Sequence, residues 1–330
     1  MNNHTMTQPP VSADVLPTLP INRFLTADID EHARNMGGWQ VSYDQLTPGR
    51  FEGELIELRC DWMQLVRDRS NQALTKRGVA WEGAITFSVP LSADGPVFCS
   101  GHPIIEPSLL VARGHNLPEL RTPQHLDLLG VAIEEQALAH VLERQGSRFR
   151  ITDLPKCYRL GASTLPAELA ALLDELDGGE QGRESLLGYE SIRRGLRDTV
   201  MLHVLELVAP DEAPPLNPTA RKRMVDRARE YALAHVDEPL SILDLCNHIG
   251  ASRRKLQYCF QETLGINPVA YLRALRLNAV RRELRNGDQT LGVQEVAARW
   301  GFWHLSRFSS DYRILFGESP SQTLRRTHLC

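Results

Sequence analysis

The apolar positions of this chain keep two different periods. Between about residues 40 and 133 they recur every second residue, as in Ile56, Leu58, Cys60 and Trp62, and again in Ile85, Phe87, Val89 and Leu91. That alternation belongs to half-buried strands. Turn signals at Pro48-Gly49, Gly83, Asp94-Gly95-Pro96 and Arg113-Gly114 punctuate the runs, and Leu126 to Ile133 is nearly continuous in the manner of a buried strand. Short strands at this spacing predict a barrel or a sandwich. Beyond residue 164 the period becomes helical. Thr164 to Asp177 opens with Ser163 or Thr164 as a cap and Pro166 in the first turn. A second stretch, about Glu184 to Val208, carries Leu187, Ile192, Leu196, Val200, His203 and Leu207 on one stripe. The stripe fits either packing against the strands or a dimer seam.

The last third of the chain contains one pattern twice. Leu240, Ile242, Leu245, Gly250, Leu256, Phe260, Leu264, Gly265 and Pro268 are matched by Leu291, Val293, Val296, Gly301, Phe308, Tyr312, Phe316, Gly317 and Pro320. The offset is 51 at the first glycine and 52 from Leu256 onward, so the second copy is one residue longer just after its turn. Each copy reads as a helix–turn–helix. Ser241 is placed to cap the first helix, and Gly250 supplies the sharp turn. The next helix buries Leu256, Phe260 and Leu264 and turns Arg254, Gln257, Tyr258 and Gln261 outward. In the second copy Val293, Val296 and Ala297 pack, while Leu305, Ser306, Ser309, Ser310 and Arg313 face out. A single helical hairpin of this kind is a weak signal. Two in matched register predict two reading heads for one DNA duplex. The helix joining them, about Pro268 to Asn286, is ~28 Å long at ~1.5 Å per residue. Successive major grooves on one face of B-DNA are ~34 Å apart, so both heads can reach adjacent grooves.

Charge divides the chain at the same place. Residues 219–330 hold 18 Lys and Arg against 11 Asp and Glu; the remainder holds 19 against 30, and the overall −4 conceals the contrast. A basic module on an acidic partner points to a polyanion-binding segment. Nearly all its cations are Arg, among them Arg253, Arg254, Arg276, Arg281, Arg282, Arg299, Arg307 and Arg313, and Arg forks onto phosphate or guanine better than Lys does. Four prolines between Pro210 and Pro218 cannot continue a helix and predict a linker. The expected organisation is therefore a disordered segment over 1–20, a β-rich domain with two helical stretches over 21–209, a linker over 210–218 and a DNA-binding domain over 219–330. No signal peptide or membrane-spanning run is apparent. The six cysteines, Cys60, Cys99, Cys157, Cys246, Cys259 and Cys330, have no C-x-x-C spacing and read as reduced thiols of a cytoplasmic protein.

In its second copy the chain resembles the AraC/XylS family of bacterial transcription regulators. The resemblance is carried by Ala297-x-x-x-Gly301-Phe302, Ser306-x-Phe308-x-x-x-Tyr312-Arg313 and Phe316-Gly317-x-Ser319-Pro320. One departure is Thr323-Leu324-Arg325, where the family has an aromatic–Arg pair. Within the family, Leu243-Asp244-Leu245-Cys246-Asn247, Ser252-Arg253-Arg254 and Trp300-Gly301-Phe302-Trp303-His304-Leu305 look most like the activators of ethanolamine-utilisation operons. The resemblance covers about residues 220–327. It implies an α+β chain: a cupin-like β-barrel sensor with a helical hairpin, followed by an all-α domain with two helix–turn–helix units. It also implies base contacts from Arg254, Gln257, Tyr258, Leu305, Ser306, Ser309 and Ser310. Arg253, Arg276, Arg307 and Arg313 are better placed for phosphate.

Enzyme chemistry finds little support. His102, His115, His125 and His140 are scattered, with no H-x-H or H-x-x-x-H pair to chelate a metal, and no G-x-S-x-G or phosphate-binding glycine loop is present. Neither catalytic residues, a cofactor nor a metal is expected. Trp62, Trp81, Phe87 and Phe98 are candidates to line a ligand pocket, although aromatics on alternating strands also serve as plain core. The expectation is a ligand-responsive activator whose partners are promoter DNA, a small metabolite such as ethanolamine, RNA polymerase and, through the helical stripe, a second copy. The alternative is a constitutive DNA-binding protein whose N-terminal part only dimerises.

Overall fold

The computed structural model describes residues 21–104, 107–146, 149–177, 187–208, 213, 215–236, 241–286 and 291–327. The segment 1–20 expected to be disordered, part of the 210–218 linker, the start of the 184–208 helix, Leu240 and Cys330 lie outside the described residues.

Antiparallel strands build the N-terminal half into two sheets. The larger has the order β1 (Ile21–Thr26), β3 (Gly53–Cys60), β4 (Met63–Ser70), β11 (Leu126–Glu134), β6 (Ala84–Ala93), β9 (Ser108–Arg113) and β12 (Lys156–Arg159). The smaller runs β2 (Gln40–Gln45), β5 (Leu74–Val79), β10 (Leu120–Arg121), β7 (Val97–Cys99) and β8 (His102–Ile104). Neither sheet closes on itself, so the cupin-like barrel expected from the sequence gives way to two open sheets facing one another. The smaller sheet contains the reason: β7, β8 and β10 have only two or three residues each, too few to carry a ladder of hydrogen bonds around a barrel.

The large sheet uses its two faces differently. Register aligns Val131 with both Leu65 and Phe87, and with Ile85, Val111, Leu129 and Ile133 they form an apolar face. A short helix, α1 (Ile29–Arg34), follows β1, and three longer helices cover the apolar face: α2 (Glu135–Gln145), α3 (Leu165–Asp177) and α4 (Glu190–Leu207). Leu196, Val200 and Leu207 of α4 are buried there, which resolves their part of the stripe as core packing, while Ile192 is left exposed. The opposite face presents mostly smaller or more polar residues, Val66, Asp68, Thr86, Ser88, Ala112 and Gly130, together with Leu110 and Leu128. Between this face and the smaller sheet is a cavity of about 90 Å³.

None of the four aromatic residues expected at a ligand pocket lines this cavity. Phe87 has the wrong parity and is buried under the helices, with Trp62 packed beside the same core. The Trp81 indole donates to Gln64 Oε1 (2.9 Å), under the guanidinium of Arg59. Phe98 lies beneath Arg121, 5.5 Å from ring centroid to guanidinium carbon. The cavity is walled instead by Met36, Trp39, Tyr43 and Lys76, among others.

The C-terminal third is helical: α5 (Ala220–Ala234), α6 (Ile242–Ile249), α7 (Arg253–Leu264), α8 (Pro268–Asn286), α9 (Val293–Arg299), α10 (Leu305–Phe316) and α11 (Pro320–Thr327). It docks on the smaller sheet. Asn278 of α8 behaves there like one more residue of a strand, its Oδ1 accepting from Gln45 N (2.9 Å) and its Nδ2 donating to Gln45 O (2.9 Å). Ion pairs flank it. Arg281 reaches Asp28 and Glu318 (2.6 Å each), Arg285 also reaches Asp28, and Arg282 reaches Asp44 (2.8 Å). At the other end Lys222 of α5 meets Glu119 (3.2 Å). The described end of the linker is pinned to the same domain, with Leu216 buried and its N–H donating to Pro155 O (3.0 Å).

Candidate nucleic-acid interface

Two small cores share one helix. The first unit buries Leu245, Cys246, Ile249, Leu256, Phe260 and Leu264 against Met224, Val225 and Ala228 of α5. In the second, Val296, Ala297, Phe308, Tyr312 and Phe316 are buried. Helix α8 supplies Tyr271 and Leu275 to the first core and Ala274, Leu277, Val280 and Leu284 to the second. The 19 residues of α8 thus fix the separation of the two units.

Local chemistry sets each turn. The Ser241 hydroxyl accepts from Asp244 N (3.2 Å) while Asp244 Oδ2 accepts from Ser241 N (2.9 Å), a reciprocal cap on α6. Ser252 caps α7 by accepting from Lys255 N (3.2 Å). Gly301 turns with φ +74°, and a Cβ there would lie 2.8 Å from Val236 O, so the turn demands glycine on two counts. The residue added to the second copy shows its effect here. His304 offers α10 no side-chain cap, and Trp303 is turned out to 63% exposure. The first N–H groups of α10 therefore lack the side-chain acceptor that Ser252 gives α7.

The outward faces match the repeat. Arg253, Arg254, Gln257 and Tyr258 are exposed on α7, and Leu305, Ser306, Arg307, Ser309, Ser310 and Arg313 on α10. The Tyr258 ring is steadied by Arg221 of α5, whose guanidinium carbon lies 5.1 Å from its centroid. Arg307 and Arg273 both approach Asp311, at 4.0 and 3.6 Å. Arg276 stands apart from this group. It is half-buried against the Gly301 turn, and burial holds its guanidinium below its usual pKa. Arg281 and Arg282, counted above among the module's cations, face the sheet domain instead.

Residues 245–326 match the family model for a helix-turn-helix domain. The probable thc operon regulatory protein of Rhodococcus erythropolis is 40% identical over 103 residues, 31% of this chain and 31% of that protein. The XylDLEGF operon transcriptional activator 2 of Pseudomonas putida is 35% identical over 100 residues, 30% of this chain and 64% of that protein. The module is a helix-turn-helix domain, similar to those of these two operon regulators. A solved structure of the DNA-binding domain of AdpA in complex with a target DNA is 25% identical over the match, covers 32% of this chain and 93% of that chain, and gives a TM-score of 0.30. The match spans under two thirds of each of these two curated relatives.

Several features of the surface were absent from the sequence reading. The α5 helix, its Arg221 on Tyr258, and the exposure of Trp303 all lie outside the repeated pattern. The extra residue between Gly301 and Phe308 was the one signal that could have drawn attention to Trp303. Cys60, Cys99, Cys157, Cys246 and Cys259 are free thiols. No helix of the described residues is long and apolar enough to cross a membrane.

Proposed function

We propose that this chain is a sequence-specific transcription regulator, an activator, that reads promoter DNA with both helix–turn–helix units and responds to a small metabolite. The observation that carries this reading is the pair of exposed faces on α7 and α10, held at a fixed separation by α8. Arg254, Gln257 and Tyr258 are assigned to bases on the first head, and Leu305, Ser306, Ser309 and Ser310 on the second. Arg253, Arg307 and Arg313 are assigned to phosphate; Arg276, turned toward the Gly301 turn, is the least exposed member of that group. The resemblance to ethanolamine-operon activators, contact with RNA polymerase, a homodimer and a cytoplasmic location belong to the same proposal.

Metabolite sensing is supported by the cavity between the sheets. An engineered cavity of about 150 Å³ accommodates benzene; a space of about 90 Å³ suits a molecule of only a few heavy atoms, a class that includes ethanolamine. Its polar corner is occupied. Asp68 accepts from His32 Nε2 (3.0 Å) and from Lys76 Nζ (2.5 Å). Burial pushes the Asp68 carboxyl up, but Lys76 and His32 outweigh it and hold it well below the usual carboxylate range. The deciding experiment is selection of bound sequences from a random DNA pool, followed by thermal unfolding of the full chain with candidate metabolites. An enriched bipartite site and a metabolite-dependent rise in Tm are expected. A pool that never enriches a sequence would sink the reading.

A further inference from the structure

The larger of two adjacent openings is not inside the sheet domain. A cleft of about 690 Å³ runs between β2 and β5 on one side and α5, α8 and Trp300, just past the end of α9, on the other. It shares Val41, Arg77 and Gly78 with the inner cavity but opens on the opposite side of that wall. Three guanidiniums line it, those of Arg77, Arg229 and Arg282, beside two carboxylates, those of Asp44 and Glu283.

The carboxylates are already committed. Asp44 accepts from Arg77 and from Arg282 Nη1 (2.8 Å). Glu283 accepts from Arg299 (2.9 Å) and from the Trp300 indole N–H (2.6 Å). Arg229 is different. Among the described residues it makes no hydrogen bond or ion pair, and its Nε is shut away from solvent without an acceptor. So enclosed an atom is beyond the reach of a ligand in the cleft, but Arg229 is only half-buried and lines the cleft with its charge unpaired, and an anion entering there is the partner that charge lacks. Leu233, Leu275, Ala279 and the Trp300 ring give the cleft an apolar patch, and Gln40, Ser42 and Asn286 add uncharged polar groups around it.

We propose that this interdomain cleft is a binding site for a small organic anion, its acid group held by Arg229 beside Arg282 and its apolar body laid against Leu233, Leu275 and Trp300. The shared chemistry is an oxyanion on a short hydrocarbon, either a carboxylate or a phosphate monoester. Because the cleft is walled by both domains, such a ligand would favour the docked arrangement. The proposal depends on neither DNA recognition nor the inner cavity.

Thermal unfolding of the full chain tests it, with hexanoate, hexyl phosphate, hexanol and hexylammonium as probes at matched ionic strength. A saturable rise in Tm is expected with hexanoate or hexyl phosphate, the stronger of the two naming the headgroup, and none with hexanol or hexylammonium. Arg229→Gln should abolish the rise, whereas Arg254→Gln, on the exposed face of α7, should keep it. A second measurement covers the case in which Arg229→Gln does not fold. 6-Bromohexanoate should quench the part of the emission that Trp300→Phe removes, and saturably. Hexanol acting as strongly as hexanoate, a rise that survives Arg229→Gln, no rise with either anion, or quenching unchanged in Trp300→Phe would each overturn the proposal.

Discussion

Asp30 occupies a place where its charge is costly. It is buried, its Oδ2 has no hydrogen-bond partner, and burial followed by the nearby Asp28 pushes its carboxyl up to about 6. Below about pH 4 the residue is protonated both folded and unfolded and has no effect. Between pH 4 and 6 the unfolded chain ionises first, so stability falls as pH rises, and above 6 the full penalty applies. Two pKa units correspond to ~3 kcal/mol as an upper bound. Asp30→Asn should therefore raise stability by ~1–3 kcal/mol at pH 7.5 and leave it unchanged at pH 4, as urea titrations at the two pH values would reveal. On the opposite surface, Arg254→Ala should cost ~1–3 kcal/mol of DNA affinity and relax selection at one base position. Equal weakening on selected and random duplexes would instead make Arg254 a phosphate contact. The strand aromatics illustrate where single-residue reading stops. Alternation correctly put Ile85, Phe87 and Val89 on one face of β6, but nothing in the alternation says which face meets helices and which meets the second sheet. The larger side chains went to the helices, leaving Thr86, Ser88 and Gly130 to border the cavity.

At the scale of elements the repeat was the most legible part of the chain. Both turns fall on the expected glycines, Ser241 caps α6, and α8 spans Pro268 to Asn286, the bounds expected of the helix joining the two units. What escaped was anything set by a distant partner. Asn278 looks like an ordinary polar residue in a helix, yet it completes the edge of β2. Replacing it by Leu would strand the N–H and C=O of Gln45, at ~1–3 kcal/mol for each group left unpaired. A lower urea midpoint at unchanged m is the expected result. The two recognition helices also differ. Helix α7 begins with Arg253, Arg254 and Lys255 under a serine cap, whereas α10 begins with Leu305, Ser306 and Arg307 and lacks one. Short hydroxyls such as those of Ser306, Ser309 and Ser310 discriminate bases poorly. In a base-by-base scan of the selected site, losses of ~1–3 kcal/mol per position should concentrate under α7. A dominant half-site under α10 would reverse this assignment.

For the whole molecule, the prediction is one of reach. With α8 ~28 Å long, a single protomer should protect about two helical turns of non-palindromic DNA. Hydroxyl-radical footprinting of the full chain is the check, and protection confined to one groove would count against it. The division into an acidic and a basic part was visible in composition, but composition could not reveal that the parts meet. Asp28, Asp44 and Glu119 on one side hold Arg281, Arg282, Arg285 and Lys222 on the other. Cations that charge counting credits to DNA are thus spent on the neighbouring domain.

That neighbour grips the module on α8, through Asn278, Arg281 and Arg282, and also at the second head, where Gly49 N–H and the Gln45 side-chain amide donate to Leu315 O of α10 (3.1 and 2.7 Å). A hand on the crossbar of a pair of calipers, with a finger on one leg, sets how that leg lies and leaves the points themselves alone. Any signal arriving from the sheet domain should accordingly alter how the second head lies relative to the first, in preference to the bases each head accepts. A series of operators with one to three base pairs inserted between the half-sites would register that adjustment as a shifted spacing optimum, while the sequence preference of each half-site stayed where it was.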